Sequence, residues 1–460
     1  MNEPNLEIAT NEPKLRTAAS QNACKLCAPL GACLAIRGIE GAIPILHGSQ
    51  GCATYIRRYM ISHYREPLDV ASSSFDETAT IFGGERNLIA GITNIQAKYH
   101  PSLVGVATTC LAETMGEDVR LYLNGARRHG QLPDCPVFNV STPSYAGTHV
   151  DGFFATLYAL TESFATQTER GEDVVLFSNM LSPADIRYLK TVLSEFGIRG
   201  HVVPDYSDTL DGPTWTEYQS IPEGGTPVSV LREMGNAKAA LELSLSQPSE
   251  RSPAGLLQAK FGVTKHVLPV PVGLRATDRL FDTLTEISGH AVPLVHAGER
   301  ARLLDAYVDG HKAVFGKRAV VYGDPDLVVG LCAFLSEVGI HPVIAASGTR
   351  TQRMKTLIEE SVTDPSYCPE VVCEDTDFVY LEELTKTHGA DILIGNSKGY
   401  GMSKRLELPL VRVGFPIHDR LGGSRILHIG YRGAMQLFDN IANALIAHRQ
   451  DSNDIGYTYM

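Results

Sequence analysis

The hydrophobic pattern repeats one unit along the chain: a short run that is apolar on both faces, then Gly, Ser or Asp, then a stretch of helical period. The runs are AIPILHGSQG (42–51), SLVGVATTC (102–110), PVFNVSTPS (136–144) and VVLFSNMLS (174–182) in the first half. HVLPVPVGL (266–274), RAVVYGDPD (318–326), PVIAASGT (342–349), DILIGNSKG (391–399) and LPLVRVGFP (408–416) follow in the second. Each is about strand length and rich in Val and Ile, as a strand buried inside a parallel sheet requires. The amphipathic stretches 327–339 and 439–448 read as helices. This alternation predicts an α/β fold of doubly wound parallel sheets, in which ligands bind at the loops after the strand C-termini. A chain of 460 residues exceeds one ordinary core. Polar, acidic stretches at 167–173 and 297–312 divide it into three expected α/β domains: 1–168, 169–310 and 311–460.

Charge changes this picture by exclusion. Lys and Arg total 40 against 52 Asp and Glu, a formal net charge of -12, so a nucleic-acid footprint is not expected beyond a local basic patch at Arg57 and Arg58. No apolar run reaches the roughly 18 residues that cross a bilayer. The first twenty residues are polar and acidic, without a signal-peptide core. A cytoplasmic protein is expected, free of nucleic acid and membrane. Nine cysteines in a chain of this length are too sparse for a disulfide framework, which leaves buried apolar thiols and metal ligands. Cys332, on an apolar helical pattern, reads as core.

The candidate chemistry lies in four segments: ACKLCAPLGA with Cys24 and Cys27, LHGSQGC with Cys52, VATTCLAET with Cys110, and NVSTPSYAGTH with Ser144. The last three follow predicted strands and the first precedes a helical run, so all four can meet at one edge of the N-terminal domain. Thiolates at such an edge suit an iron–sulfur cluster, because soft sulfur donors match iron. Gly48 and Gly51 would let the backbone approach closely, and Thr108 and Thr109 can donate local hydrogen bonds. Alternatives stand beside this reading. Cys24 and Cys27 alone form a Cys-x-x-Cys pair compatible with structural zinc or redox chemistry, and single cysteines are commonly core residues. Ser144 fits a turn or helix cap beside Pro143 as well as a ligand. His47 fits either a cluster-shell hydrogen bond or a satisfied strand end. Arg65 and Glu66 read as a solvated pair.

These segments resemble the β-subunit of nitrogenase component 1, and the resemblance runs almost the full length. It is carried by CAPLGA, HGSQGCATYIRRYMISHYREP, SSSFDETATIFGG, TTCLAETMGEDV and TPSYAGTHVDGF, then by ISGHAVP, ERARLLDA, GKRAVVYGDPDLVVGL, IGNSKG, VRVGFPIHDR and GYRGAMQL. The resemblance implies three α/β domains and an α2β2 heterotetramer with an α-type subunit. It implies a P-cluster, an [8Fe-7S] iron–sulfur cluster shared across the α–β interface, with Cys27, Cys52 and Cys110 as this side's ligands. Ser144 would be the serine that joins the oxidised cluster. The substrate-reducing cofactor is then expected in the partner, with no catalytic residue in this chain, and electrons are expected from an ATP-hydrolysing iron protein.

Three departures separate this chain from an ordinary molybdenum nitrogenase of nitrogen fixation. The family's usual Cys-Gln-Pro reads Cys27-Ala28-Pro29. Cys24 lies three residues before Cys27 and is a candidate substitute ligand. The long N-terminal extension of some dinitrogenase β-subunits is missing. These features point to a divergent branch such as the nitrogenase-like methylthio-alkane reductases. A non-catalytic maturation scaffold is the alternative. Scaffolds of that type usually lose the Thr-Thr-Cys cysteine, so Cys110 favours the enzyme. The dark-operative protochlorophyllide reductase relatives do not show all of these segments.

Overall fold

The computed structural model describes residues 24–453. The polar N-terminal segment discussed above lies outside these residues. Among the described residues, thirteen strands form three all-parallel sheets. The first contains β1 (Ala42–His47), β2 (Ala71–Ser72), β3 (Leu103–Thr108) and β4 (Val137–Val140), in the order β2-β1-β3-β4. The second contains β5 (Val174–Phe177), β6 (Gly200–Val203), β7 (Ala239–Glu242) and β8 (Thr264–Val267), in the order β6-β5-β7-β8. The third contains β9 (Arg318–Tyr322), β10 (His341–Ala346), β11 (Val371–Cys373), β12 (Ile392–Gly395) and β13 (Leu410–Arg412), in the order β11-β10-β9-β12-β13. In each sheet the chain winds one way, returns to the middle and winds the other way. The fold is therefore the expected doubly wound α/β architecture, repeated three times.

β1 and β3 are buried along their whole length, which explains their unbroken apolar runs. The run at 266–274 contributes only two residues to β8. Pro269 and Pro271 lack the N–H groups that a further ladder would need, so the strand closes at Val267. The polar stretch at 297–312 lies inside one continuous helix, Leu294–Val314. That helix packs against the long helix Gly430–Asp451, which contains the predicted 439–448. Residues 327–339 fall largely in the predicted helix, here Pro325–Glu337. No helix among the described residues is long and apolar enough to cross a membrane.

Two glycines set the position of the N-terminal segment. The helix Ala28–Arg37 is buried on all sides and crosses the helix His149–Phe164 at backbone contact. A Cβ on Gly31 would lie 1.8 Å from the His149 carbonyl oxygen, and one on Gly152 would lie 1.9 Å from that of Ala28. Any larger residue at either position would push Cys27 out of place.

Buried polar groups join the three sheets. Asp326, in the first turn of Pro325–Glu337, accepts five hydrogen bonds from the loops after β5 and β7. The donors are Asn179 Nδ2 (3.0 Å), the hydroxyls of Ser244 and Ser246 (2.7 Å each), and the N–H groups of Leu245 (2.8 Å) and Ser246 (2.9 Å). Asp185 accepts from His428 N–H (2.7 Å) and sits 2.8 Å from His428 Nδ1, tying the second sheet to the segment entering the last helix. His149 Nε2 lies 2.9 Å from Asp324 Oδ1, and the Thr148 and Thr349 hydroxyls are 2.8 Å apart, joining the first unit to the third.

Candidate iron–sulfur half-site

Cys27, Cys52 and Cys110 each sit at the first turn of a helix on the same edge of the first unit. Cys27 is the N-cap of Ala28–Arg37. Cys52 follows β1 in the first turn of Gln50–Tyr64, whose N-cap Ser49 accepts from Gly51 N–H at 3.3 Å. Cys110 follows β3 and opens the short helix Cys110–Met115. Helix N-termini present unpaired N–H groups and a positive dipole end that can face a bound anionic group. Cys27 is exposed, and Cys52 and Cys110 are half-buried. Burial raises the pKa of the Cys52 thiol above its ordinary value, and the charges of Cys27 and Cys110 raise it further. Cys27 and Cys110, from distant segments, therefore both sit within electrostatic reach of Cys52. The expected convergence at one edge is found for these three.

Ser144 joins them. It lies in the turn after β4, and its Oγ accepts a hydrogen bond from Ala28 N–H at 3.2 Å. It thus caps the helix that Cys27 begins. Cys27 is also held by an isolated antiparallel bridge to Thr148. Leu26 N–H donates to His149 Nδ1 at 3.3 Å.

The threonines before Cys110 make the anticipated local hydrogen bonds. Thr109 donates to the His47 carbonyl at 3.2 Å, and Thr108 donates to Glu113. Thr142 N–H donates to Thr108 Oγ1 at 2.8 Å, linking the ends of β3 and β4. Gly48 holds φ +151°, and a Cβ there would lie 1.8 Å from Thr109 Oγ1, so only glycine permits this junction of the Cys52 and Cys110 loops. Gly51 differs from expectation. A Cβ there would meet nothing nearer than Ser49 Oγ at 3.7 Å, so no group of this chain demands a glycine.

Other sequence candidates resolve differently. Cys24 turns away from this edge into the core of the third sheet, among Val320, Tyr322 and Val343. Burial pushes its thiol up to about 12, so it is a neutral core thiol. A zinc or redox pair of Cys24 with the exposed Cys27 does not fit that arrangement. Cys332 is buried, as expected. His47 is satisfied within the chain: Nδ1 lies 3.2 Å from Ser73 Oγ and Nε2 3.1 Å from Glu117 Oε2. Burial lowers its pKa. Both ring nitrogens are thereby used, which leaves none for a cluster-shell bond. Arg65 and Glu66 form no ion pair with each other among the described residues; Arg65 donates instead to the His418 carbonyl at 3.2 Å. Arg57 donates to the Leu68 carbonyl at 2.7 Å and lies 3.6 Å from Asp69, which offsets the basic patch.

Sequence reasoning missed the surroundings. Tyr55, Leu111 and Tyr145 are 47%, 36% and 67% exposed, each close in sequence to one of the four site residues. Lys398, from the loop after β12, reaches the Lys25 carbonyl at 3.4 Å and feels the charge of Cys27. The aromatic residues beside the cysteines were the signal available for the first group. Nothing in the linear pattern tied Lys398 to residues 370 positions earlier.

The donor set fits a multi-iron group better than a single ion. Among the described residues no three His, Cys, Asp or Glu side chains gather as a single-ion site. Thiols alone, spread across one open face, match a cluster whose irons are gripped separately. Solvent reaches all three, and the space beside Gly51 stays open.

Comparisons with known proteins place the chain in a family. Residues 27–446 match the family model described as nitrogenase component 1 type oxidoreductase. The nitrogenase molybdenum-iron protein beta chain of Clostridium pasteurianum is 34% identical, covering 96% of each chain. That of Azotobacter vinelandii is 35% identical over 94% of this chain and 85% of its own. A solved structure described as nitrogenase Cp1 at pH 6.5 superposes with a TM-score of 0.92 at 33% identity, covering 97% of both chains. A chain of nitrogenase Cp1 at pH 5, 15% identical with a TM-score of 0.68, shares the fold. This chain belongs to the β-subunit family of the nitrogenase component 1 type oxidoreductases.

Proposed function

We propose that this chain is the β-type subunit of a component 1 reductase, holding half of a P-cluster-type [8Fe-7S] cluster with Cys27, Cys52 and Cys110. An α-type subunit completes the site in an α2β2 heterotetramer, consistent with relatives named as beta chains. Such a cluster, when bound, supplies one-electron storage and transfer. The observation that carries the reading is the Cys52 thiol lying within reach of the charges of both Cys27 and Cys110 on a solvent-facing edge. Tyr55, Leu111 and Tyr145 give that edge an exposed apolar character, as an unpartnered interface has.

In this reading the chain's own residues fix geometry and charge. Three helix N-termini oppose the negative charge of the thiolates, Gly48 lets the Cys52 and Cys110 loops touch, and Ser144 stays beside Cys27 as an additional oxygen donor. Electrons arrive from an ATP-hydrolysing iron protein and leave toward a cofactor in the α-type subunit, all in the cytoplasm. The substrate is a small molecule, a methylthio-alkane or dinitrogen. Ala28 in place of the usual Gln favours the former. Ala28 is buried against Gly152, so the change alters packing behind Cys27.

Iron and sulfide analysis with EPR on the co-purified complex tests the cluster: about eight irons per αβ interface beyond the cofactor are expected. About four would point to a simpler cluster and defeat the proposal. Thioether reduction without ammonia formation is the expected activity; robust ammonia formation would assign dinitrogen instead.

A further inference from the structure

A cavity of about 430 Å³ lies far along the chain from the cysteines, between the second sheet and two helices of the third unit. It opens beyond the ends of β7 and β8, the side on which doubly wound sheets bind ligands. β7 also borders the point where the strand order of its sheet reverses. The helix Leu274–Ser288 contributes Arg275 and Arg279, β8 contributes Lys265, and Arg353 precedes the helix Met354–Ser361. This volume falls in the range typical of small-molecule sites.

Four cationic side chains, Lys265, Arg275, Arg279 and Arg353, line the cavity against three carboxylates, Glu242, Glu337 and Glu360. Glu337 is already engaged by the N–H groups of Leu274 (2.8 Å) and Arg275 (3.0 Å). Glu242 is engaged by the Ser252 hydroxyl (2.6 Å) and Ala254 N–H (3.2 Å). Burial raises the pKa of both carboxyls. The guanidinium groups of Arg279 and Arg353 have no hydrogen-bond or ion-pair partner among the described residues. On the floor, Gln247 is only 9% exposed, and its amide has no partner among the described residues. That amide can donate to and accept from a ligand that enters the cavity. The wall between floor and rim is apolar, formed by Leu245, Val267, Val329 and Leu357.

We propose that this cavity binds a small organic anion bearing carboxylate or phosphate groups, clamped by Arg275, Arg279 and Arg353 at the rim and read by Gln247 at the floor. Guanidinium forks match planar or tetrahedral oxyanions in bidentate fashion, and the apolar wall accepts the carbon skeleton between the two ends. The site is distinct from the cysteine edge and needs neither metal nor turnover.

Isothermal titration of the purified complex at low ionic strength, with citrate as a polycarboxylate probe and AMP as a phosphate probe, tests the proposal. One of the two is expected to bind saturably, with affinity falling as salt rises, and the winning probe identifies the anion. The double variant Arg279→Gln/Arg353→Gln, at exposed positions, should weaken it at least tenfold with an unchanged melting temperature. Gln247→Leu should weaken it several-fold. Absence of saturable binding for both probes, or binding unaltered in the double variant, would overturn the assignment.

Discussion

The hydroxyl oxygen of Ser144 accepts a hydrogen bond from the main-chain N–H of Ala28 at 3.2 Å, and so anchors the turn after β4 to the residue that follows Cys27. Ser144→Ala removes that bond, with an expected loss of about 1 kcal/mol of stability. Iron content should stay intact, while the EPR signature of the oxidised complex should change. Chemical denaturation together with a redox titration checks both parts; an oxidised spectrum identical to the parent's would leave Ser144 as a cap alone.

Replacing the exposed-edge thiols should separate them sharply from the buried one. Cys52→Ala and Cys110→Ala are expected to strip iron from the complex and loosen its pairing with the α-type subunit. Cys24→Ala should keep full iron, because Cys24 lies in the core of the third sheet. Metal analysis after size exclusion reads the difference, and an iron-poor Cys24→Ala complex would transfer the ligand role to that residue.

The two glycines flanking Ser49 and Gln50 should behave unlike each other. Gly48→Ala drives a Cβ into Thr109 at a positive φ and should cost about 3 kcal/mol. Gly51→Ala should leave the melting temperature of this chain unaltered, since nothing within it occupies that space. Thermal melts of the two variants settle the contrast; equal destabilisation would contradict it.

Acid should weaken the fold through His63. Burial holds its pKa down to about 3, and the positive charges of His418, His428 and Arg65 act in the same direction. Its Nδ1 accepts Ile417 N–H at 2.9 Å, which requires the neutral ring. The folded value lies below the ordinary 6.5, so the unfolded chain takes up the proton first. The contribution of this site is complete above about pH 6.5 and declines as pH falls toward 3, by up to about 1.4 kcal/mol per pH unit. His63→Asn, which keeps an acceptor and cannot titrate, should flatten the melting temperature between pH 7 and 5. An unchanged pH slope would remove His63 as the cause.

Asp326 should matter more than any surface acid. Asp326→Ala leaves the Asn179, Ser244 and Ser246 donors without their shared acceptor and should cost about 3 kcal/mol or more. Denaturant melts measure it; a loss under 1 kcal/mol would show that water replaces the carboxylate.

Much of this architecture is legible because buried parallel strands must be apolar on both faces. β1, β3, β9, β10 and β12 announce themselves that way. β7 does not: AALE sits in the alanine-rich AKAALELSL, whose composition favours a helix until tertiary packing overrides it. β2 and β11 are too short, at two and three residues, to leave a pattern. The cysteines were legible because each abuts a strand or helix end. The direction of Cys24 was not, because it depends on Gly348 and the third sheet packing against its backbone. The satisfaction of His47 depended on Ser73 and Glu117, 26 and 70 residues away.

Asp326 and Asp185 together have a mechanical consequence. Opening a hinge between the second and third units would leave one buried carboxylate without five donors and break the other away from His428. The subunit is therefore a stiff block. If the proposed relay of electrons is gated, the gate has to come from whole subunits tilting against each other, or from motion at the cysteine edge itself.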